Sequence, residues 1–171
     1  MLIGSQNKVY DLALGPLCEF LQIIDLKLSE ISDCISKSID PESDGLFDRG
    51  EYFIGIGFVA IQQHLSESLI GISPDKKEAY ALGTTHSSGV SSIWIINAAA
   101  NWWKHETEWF KNKKIPKSGE WTVEIIMDIS NQYEYALSTV LASFSESKEL
   151  SFINNIIPHV QNWTKEIYSK K

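Results

Sequence analysis

The chain has few cysteines, which cross-link small proteins, and few of the basic residues that bind polyanions. It contains 2 cysteines and 5 prolines, and its 15 Lys and Arg residues are outnumbered by 22 Asp and Glu residues. The longest apolar run, residues 53–61, includes two glycines and is far too short to cross a bilayer. We therefore expect no membrane segment. A net charge of −7 also disfavours binding of duplex DNA, which needs many cationic contacts to phosphates.

The two cysteines indicate a reducing compartment. Cys18 and Cys34 fall in one predicted helix, where a rise of about 1.5 Å per residue separates them by about 24 Å. A disulfide tolerates a Cα separation of only about 7 Å, so the two thiols cannot pair. The first residues also lack the basic region and the apolar run of a secretion signal. We expect a cytoplasmic protein.

The hydrophobic spacing is helical along almost the whole chain. With 171 residues, 43% of them hydrophobic and 22% charged, the chain has an ordinary globular composition and is predicted to be one domain, 1–171. The predicted main helices cover residues 16–39, 54–72, 89–112, 117–144 and 150–171, with a shorter helical piece before the first. Pro158 must break or kink the last. No strand pattern competes, which predicts an all-α fold: a single helical bundle of four to five main helices with short connections.

The central predicted helix carries the best candidate site. Its apolar surface is rich in tryptophan, which predicts that it is the most buried helix. A polar stripe within about 100° of arc interrupts that surface. The stripe comprises Asn97, Asn101, Lys104, His105 and Glu108. A histidine can transfer protons near neutral pH, a lysine can hold a phosphate and an asparagine can orient either group. The alternative is that the stripe is only the solvent face of a surface helix.

Two weaker signals lie outside this stripe. His64 and Glu67, like His105 and Glu108, are three residues apart, so two facing helices could present metal ligands. The opposite order, Glu before His, is the one found in di-iron bundles, and we expect no metal and no cofactor. The loop at residues 83–89 carries hydroxyls and His86 before a helix, where backbone amides can bind an anion. A simple helix cap is the more common role of such residues.

Residues 100–105 read Ala-Asn-Trp-Trp-Lys-His. This segment resembles a degenerate motif of HEPN-domain proteins, small all-helical bundles common in toxin-antitoxin and phage-defence systems. In that family an Arg, often followed by Asn, precedes a His by about one helical turn, and dimerisation brings two motifs together to cleave RNA without a metal. Asn101 and His105 match the Asn and the His, and Ala100 stands in the place of the Arg.

The resemblance implies an RNA-cleaving or RNA-binding protein, or a catalytically degenerate relative, that forms a homodimer. It makes Asn101, Lys104 and His105 the candidate catalytic residues, with Lys104 as a substitute cation. The candidate binding residues are Asn97, Glu108, His64 and His86.

Two other functions fit the composition. An acidic surface suits an immunity or antitoxin-type protein that neutralises a basic protein partner. A helical bundle can also bind a small ligand or a metal between its helices. Paired copies of Asn101 and His105 across a dimer would favour the RNA function. A monomer with an acidic surface would favour the immunity or antitoxin-type protein. A metal between His64 and His105 would favour the ligand-binding or metal-binding bundle.

Overall fold

The structure is a computed structural model that describes the backbone of residues 2–5 and 8–10 and the whole of residues 11–70 and 75–169. It is an all-α helical bundle, as the hydrophobic spacing predicted. The helices are α1 (Leu14–Lys37), α2 (Leu46–Ser68), α3 (Lys76–Tyr80), α4 (Ser92–Asn112), α5 (Lys117–Ser130), α6 (Ala136–Ala142), α7 (Phe152–Asn155) and α8 (Ile157–Ser169). Within the described ranges, no helix is both long and apolar enough to cross a bilayer.

A small antiparallel hairpin stands before α1, where the sequence analysis expected a short helical piece. Its strands are β1 (Leu2–Ser5) and β2 (Lys8–Asp11), and Ile3 pairs with Tyr10. Isoleucine, valine and tyrosine favour strands, and a hairpin this short has no helical period to detect. The expectation of a helical piece was therefore wrong, although the bundle itself remains all-α.

The predicted fourth helix, residues 117–144, is divided into α5 and α6. Asn131 and Tyr135 both adopt left-handed backbone conformations, with φ of 54° and 53°. Asn131 ends α5 in the manner usual for a helix C-terminus. Apolar residues continue at helical spacing on both sides of this turn, so the hydrophobic pattern by itself did not reveal the break. The last predicted helix is divided too, at Ile156, and Pro158 lies in the first turn of α8, where a missing N–H is tolerated.

Helix α4 lies at the centre of the core, in agreement with the tryptophan content. Trp102 is only 1% exposed, and the run Ala98 to Ala100 is fully buried. The α4 helix packs against α2, α5 and α8. Gly55 allows the closest approach of α2, because a Cβ at this position would lie 2.1 Å from Cδ2 of Trp103. This tight packing holds the polar stripe of α4 on a rigid helix.

Candidate functional site

A cleft of about 610 Å³ lies between the last turns of α4 and the first turns of α5. Three members of the predicted stripe line it: Asn101, His105 and Glu108. The opposite wall includes Lys114 and Gly119. The structure thus places part of the stripe at a concave surface rather than on a featureless solvent face. We call this cavity the α4–α5 cleft.

Gly119 shapes the α4–α5 cleft. A Cβ at this position would lie 2.7 Å from Cζ2 of Trp109, closer than side chains pack, so glycine lets the start of α5 rest on the indole. Trp109 is 7% exposed and lines the cleft. The glycine also brings the N-terminal turn of α5, with Ser118, to the cavity wall. The partial positive charge of a helix N-terminus therefore adds to the field in the cleft.

His105 is the accessible imidazole of this cleft. Its ring stacks on Trp109, with centroids 5.7 Å apart and planes at 22°. Its Nδ1 lies 4.0 Å from Oε2 of Glu108, and the His105 side chain is 47% exposed. That distance and exposure make the ion pair weak. The indole orients the ring, while its exposed surface is free to meet a ligand.

A lysine-rich stretch joins α4 to α5 next to the cleft. Residues 111–117 contain Lys111, Lys113, Lys114 and Lys117, with no acidic residue among them. All four lysines are exposed, and Lys114 lines the cavity itself. Charges this close together raise the local positive potential although the whole chain is acidic. Glu108 also lines the cleft, so the attraction for an anion comes from Lys114 together with the other lysines of this stretch.

Lys104 does not line the cleft. Its Nζ donates a hydrogen bond of 2.7 Å to Oε1 of Gln62 on α2. Nε2 of Gln62 in turn donates to Oδ1 of Asn97 and to Oδ1 of Asn101, both at 2.9 Å. Burial lowers the pKa of Lys104, and the nearby charge of Lys76 lowers it further. The cation predicted to hold a phosphate is instead tied to a half-buried polar network.

Gln62 is the residue that the sequence analysis missed. It is 9% exposed and joins three members of the stripe to α2. A polar residue four positions after the core residue Phe58 was a usable signal, because that spacing places both on one helical face. Asn97, 5% exposed, does not line the cleft, whereas Asn101 belongs to both the network and the cavity wall. The hydrogen bond from Gln62 thus fixes the orientation of the Asn101 side chain at the cleft.

His64 and His105 lie in different places. The Nε2 atom of His64 is 3.0 Å from Oδ2 of Asp11, close enough for an ion pair but not aligned as a hydrogen bond. Burial lowers the pKa of His64, and the neighbouring Asp11 opposes that shift. In the part of the chain that the structure describes, no group of three His, Cys, Asp or Glu side chains could hold a metal ion.

His86 fastens its loop to the bundle. Its Nδ1 lies 3.1 Å from Oγ of Ser88, and its Nε2 lies 3.1 Å from the carbonyl oxygen of Ser143. Ser91, at the end of the same loop, caps α4 by accepting from the N–H of Ile93 at 3.3 Å. His86 thus does not line the α4–α5 cleft, and the loop caps α4 through Ser91.

Glu106 is a second group that the stripe did not include. It lies on α4, on another face from His105, and burial together with the Glu51 carboxylate raises its pKa to about 7. Glu51, on α2, accepts hydrogen bonds from the N–H groups of Leu137 and Ser138 at 2.6 and 3.0 Å. The acid pair therefore connects α4 electrostatically to the start of α6.

No protein-family model, curated protein or solved structure matches this chain. What the α4–α5 cleft can bind therefore follows from its own side chains. Lys114 suits an anion, and the exposed ring of His105, held against Trp109, suits a planar group. The exposed imidazole suits a proton transfer.

Proposed function

We propose that the α4–α5 cleft binds single-stranded RNA and that His105 transfers protons to or from the bound strand. One observation carries this proposal: His105 and Asn101 line the same cavity as Lys114, at the edge of a four-lysine stretch. Single strands are bound by cationic grooves that follow the phosphates and by rings on which bases stack. The cleft combines both features in a protein whose net charge of −7 disfavours wider contact with a duplex.

The HEPN-like motif of residues 100–105 agrees with this location. Its Asn101 and His105 are the two motif residues that line the cleft. Ala100, in the position of the family's Arg, is fully buried, so this position can offer no cation to a ligand. We assign that part to Lys114, since Lys104 is tied to Gln62. The proposed class is therefore a HEPN-like RNA-binding or RNA-cleaving protein of the toxin-antitoxin or phage-defence type.

A cleavage reaction at this site would be a metal-independent transfer. The 2′-hydroxyl of a bound ribose attacks the adjacent phosphorus, and His105 accepts the hydroxyl proton as a general base. The bond to the 5′-oxygen breaks and that oxygen takes a proton from water, while the proton held by His105 neutralises the hydroxide that is left. The ammonium group of Lys114 stabilises the extra negative charge that develops on the phosphate oxygens. Asn101, held by Gln62, orients the strand.

Charge reversal at the lysines tests the binding step. The double variant Lys113→Glu/Lys114→Glu should bind a fluorescent single-stranded oligoribonucleotide at least tenfold more weakly in an anisotropy titration. The slope of log K against log salt should fall by about 1.4, because two phosphate contacts are lost. The control, Lys37→Glu/Lys165→Glu, removes two exposed lysines from α1 and α8 with the same change in net charge. Equal losses of RNA affinity in both variants would show non-specific electrostatic attraction and would refute the cleft as the binding site.

Replacement of the histidine tests the chemistry. We expect His105→Ala to abolish cleavage of the oligoribonucleotide while the thermal midpoint stays unchanged, because the ring is exposed. His159→Ala is the comparison: His159 bonds Thr84 and Ser92 in a half-buried position, so this variant should lose stability and keep RNA binding. If wild-type protein neither binds nor cleaves RNA, the proposal is wrong, and the acidic binding protein becomes the better interpretation.

A further inference from the structure

A second cavity, of about 360 Å³, lies between α1, the start of α2 and α6. We call it the α1–α6 cavity. Its wall is mainly aliphatic and includes Leu28, Ile31, Ile35, Leu46 and Leu150. None of the described residues that line it is charged. The volume falls in the range of small-molecule sites, where an apolar wall with a few polar groups is typical.

An aromatic pair borders this cavity. Phe47 and Tyr135 both line it, and their ring centroids lie 5.4 Å apart with planes at 51°. Tyr135 is held in the left-handed backbone region, with φ of 53°, at the N-cap of α6. A large side chain in that conformation stores strain, which is common where a ring must be placed for a ligand. Aromatic faces attract organic cations.

The charges around the aromatic pair are acidic. Burial raises the pKa of Tyr135, and the carboxylates of Asp48, Glu42, Glu134 and Glu51 raise it further. Asp48 and Glu134 directly follow and precede, in the chain, the cavity-lining residues Phe47 and Tyr135. Glu51 is fixed there by its bonds to the N-terminal turn of α6. Residues 40–51 contain five acidic residues and one basic residue, Arg49, which does not line the cavity. An apolar chamber thus opens beside a concentration of negative charge.

We propose that the α1–α6 cavity binds a small organic cation, with its apolar body against the aliphatic wall and its ammonium group at Phe47, Tyr135 and the neighbouring carboxylates. Charge complementarity selects this occupant. The acidic surroundings of the cavity would repel a carboxylate ligand and would add no attraction for a neutral one. The site is independent of RNA binding, because it shares no lining residue with the α4–α5 cleft.

Three probes of equal chain length test the ligand class. We expect hexyltrimethylammonium to bind in isothermal titration calorimetry at least tenfold more tightly than hexanol, and hexanoate to bind not at all. Equal binding of hexanol and the ammonium would overturn the role of the charge. Binding of hexanoate at the strength of the ammonium would overturn the whole assignment.

A glycine in the wall allows the location to be tested. A Cβ at Gly50 would lie 3.9 Å from Cγ2 of Ile31, an ordinary contact, so Gly50→Leu can extend its side chain into the cavity. This variant should abolish binding of hexyltrimethylammonium. The matched control is Gly15→Leu, also in a helix, whose Cβ would meet nothing within 4 Å. Unchanged binding in a folded Gly50→Leu protein, verified by circular dichroism, would place the ligand elsewhere and refute the proposal.

A pair of surface substitutions tests the charge without touching the wall. Asp48→Asn/Glu134→Gln changes two exposed carboxylates and should weaken hexyltrimethylammonium binding about fivefold while hexanol binding stays constant. The control Glu124→Gln/Asp128→Asn removes two exposed carboxylates of α5. If both pairs weaken the cation equally, the effect belongs to the net charge, and the proposed site is wrong. This test decides the matter even if Gly50→Leu does not fold.

Discussion

The α4–α5 cleft and the α1–α6 cavity are built on the same bundle with opposite electrostatics. The cleft is lined by Lys114, from a stretch of four lysines, and by Glu108, whereas four carboxylates act on Tyr135 at the cavity. The net charge of −7 for the whole chain does not describe the local charge of either region. Binding preferences depend on the local potential within about a Debye length, which is about 8 Å at physiological salt. The net charge of the whole chain therefore does not determine which ligands each concave surface binds.

The two regions also differ in how their polar groups are supported. Asn101 in the cleft is tied through Gln62 to Asn97 in the protein interior. The cavity has a mainly apolar wall, and the half-buried Glu51 accepts hydrogen bonds from Ser138, a residue of that wall, and from the N–H of Leu137. The position of Asn101 in the cleft therefore depends on side-chain hydrogen bonds between α2 and α4, while cavity geometry depends on packing and on one helix terminus.

Loss of Trp102 should have the largest effect, because this residue supports both regions. It is 1% exposed, and its ring stacks on Tyr133 at 6.0 Å in the segment that leads to Tyr135. We expect Trp102→Ala to lower the free energy of unfolding by about 3–5 kcal/mol and to impair both binding activities. Urea denaturation measures this loss. The control Trp121→Ala removes a 42% exposed indole and should cost much less. Equal costs would contradict the central position of α4.

Gln62→Leu should separate the two regions. The substitution leaves the buried Oδ1 of Asn97 without its donor and Lys104 without its acceptor, which we expect to cost about 1–3 kcal/mol. RNA binding should weaken because Asn101 is no longer held, and hexyltrimethylammonium binding should persist. Gln63→Leu, at an exposed neighbour, is the matched control. Parallel losses of both ligands would show that the cleft and the cavity are not supported independently.

Glu106→Gln should have the smallest effect and tests the electrostatic link between the regions. The pKa of Glu106 is raised to about 7, so between pH 4.5 and 7 the folded protein retains a proton that the unfolded chain releases. The stability contributed by the neutral acid is present at low pH and is lost as pH rises through that window. The glutamine variant should match wild type at pH 4 and be more stable at pH 8, by about 1 kcal/mol, since solvent screens a half-buried group.

Denaturation curves at a series of pH values measure this difference. Glu108→Gln, at a side chain that is 69% exposed, is the control for the loss of one carboxylate from α4. If Glu106→Gln also follows wild type from pH 4 to pH 8, the carboxyl of Glu106 is not perturbed by burial and by Glu51. The two regions would then be electrostatically separate.

Much of the bundle could be predicted from periodicity, because a helix is a local structure. The first predicted helix, 16–39, is observed as Leu14–Lys37, and the central one, 89–112, as Ser92–Asn112. Breaks were harder to predict. Apolar residues continue at helical spacing on both sides of Asn131 and Tyr135. The left-handed conformations at these two positions interrupt the helix, but they leave that spacing unchanged. Likewise, the stripe placed Asn101 and His105 on one face, but no local pattern linked either of them to Gln62.

The sequence by itself determined the helical class, the burial of α4 and the presence of a polar stripe on it. The tertiary structure alone decided what each member of that stripe meets. Lys104 and His105 are adjacent, and about 100° of helical rotation separates them. One therefore reaches Gln62 on α2, and the other lines the cleft against α5. The local period determines which residues share a face, but only the packing of α2 and α5 against α4 determines whether that face becomes an internal network or an open site.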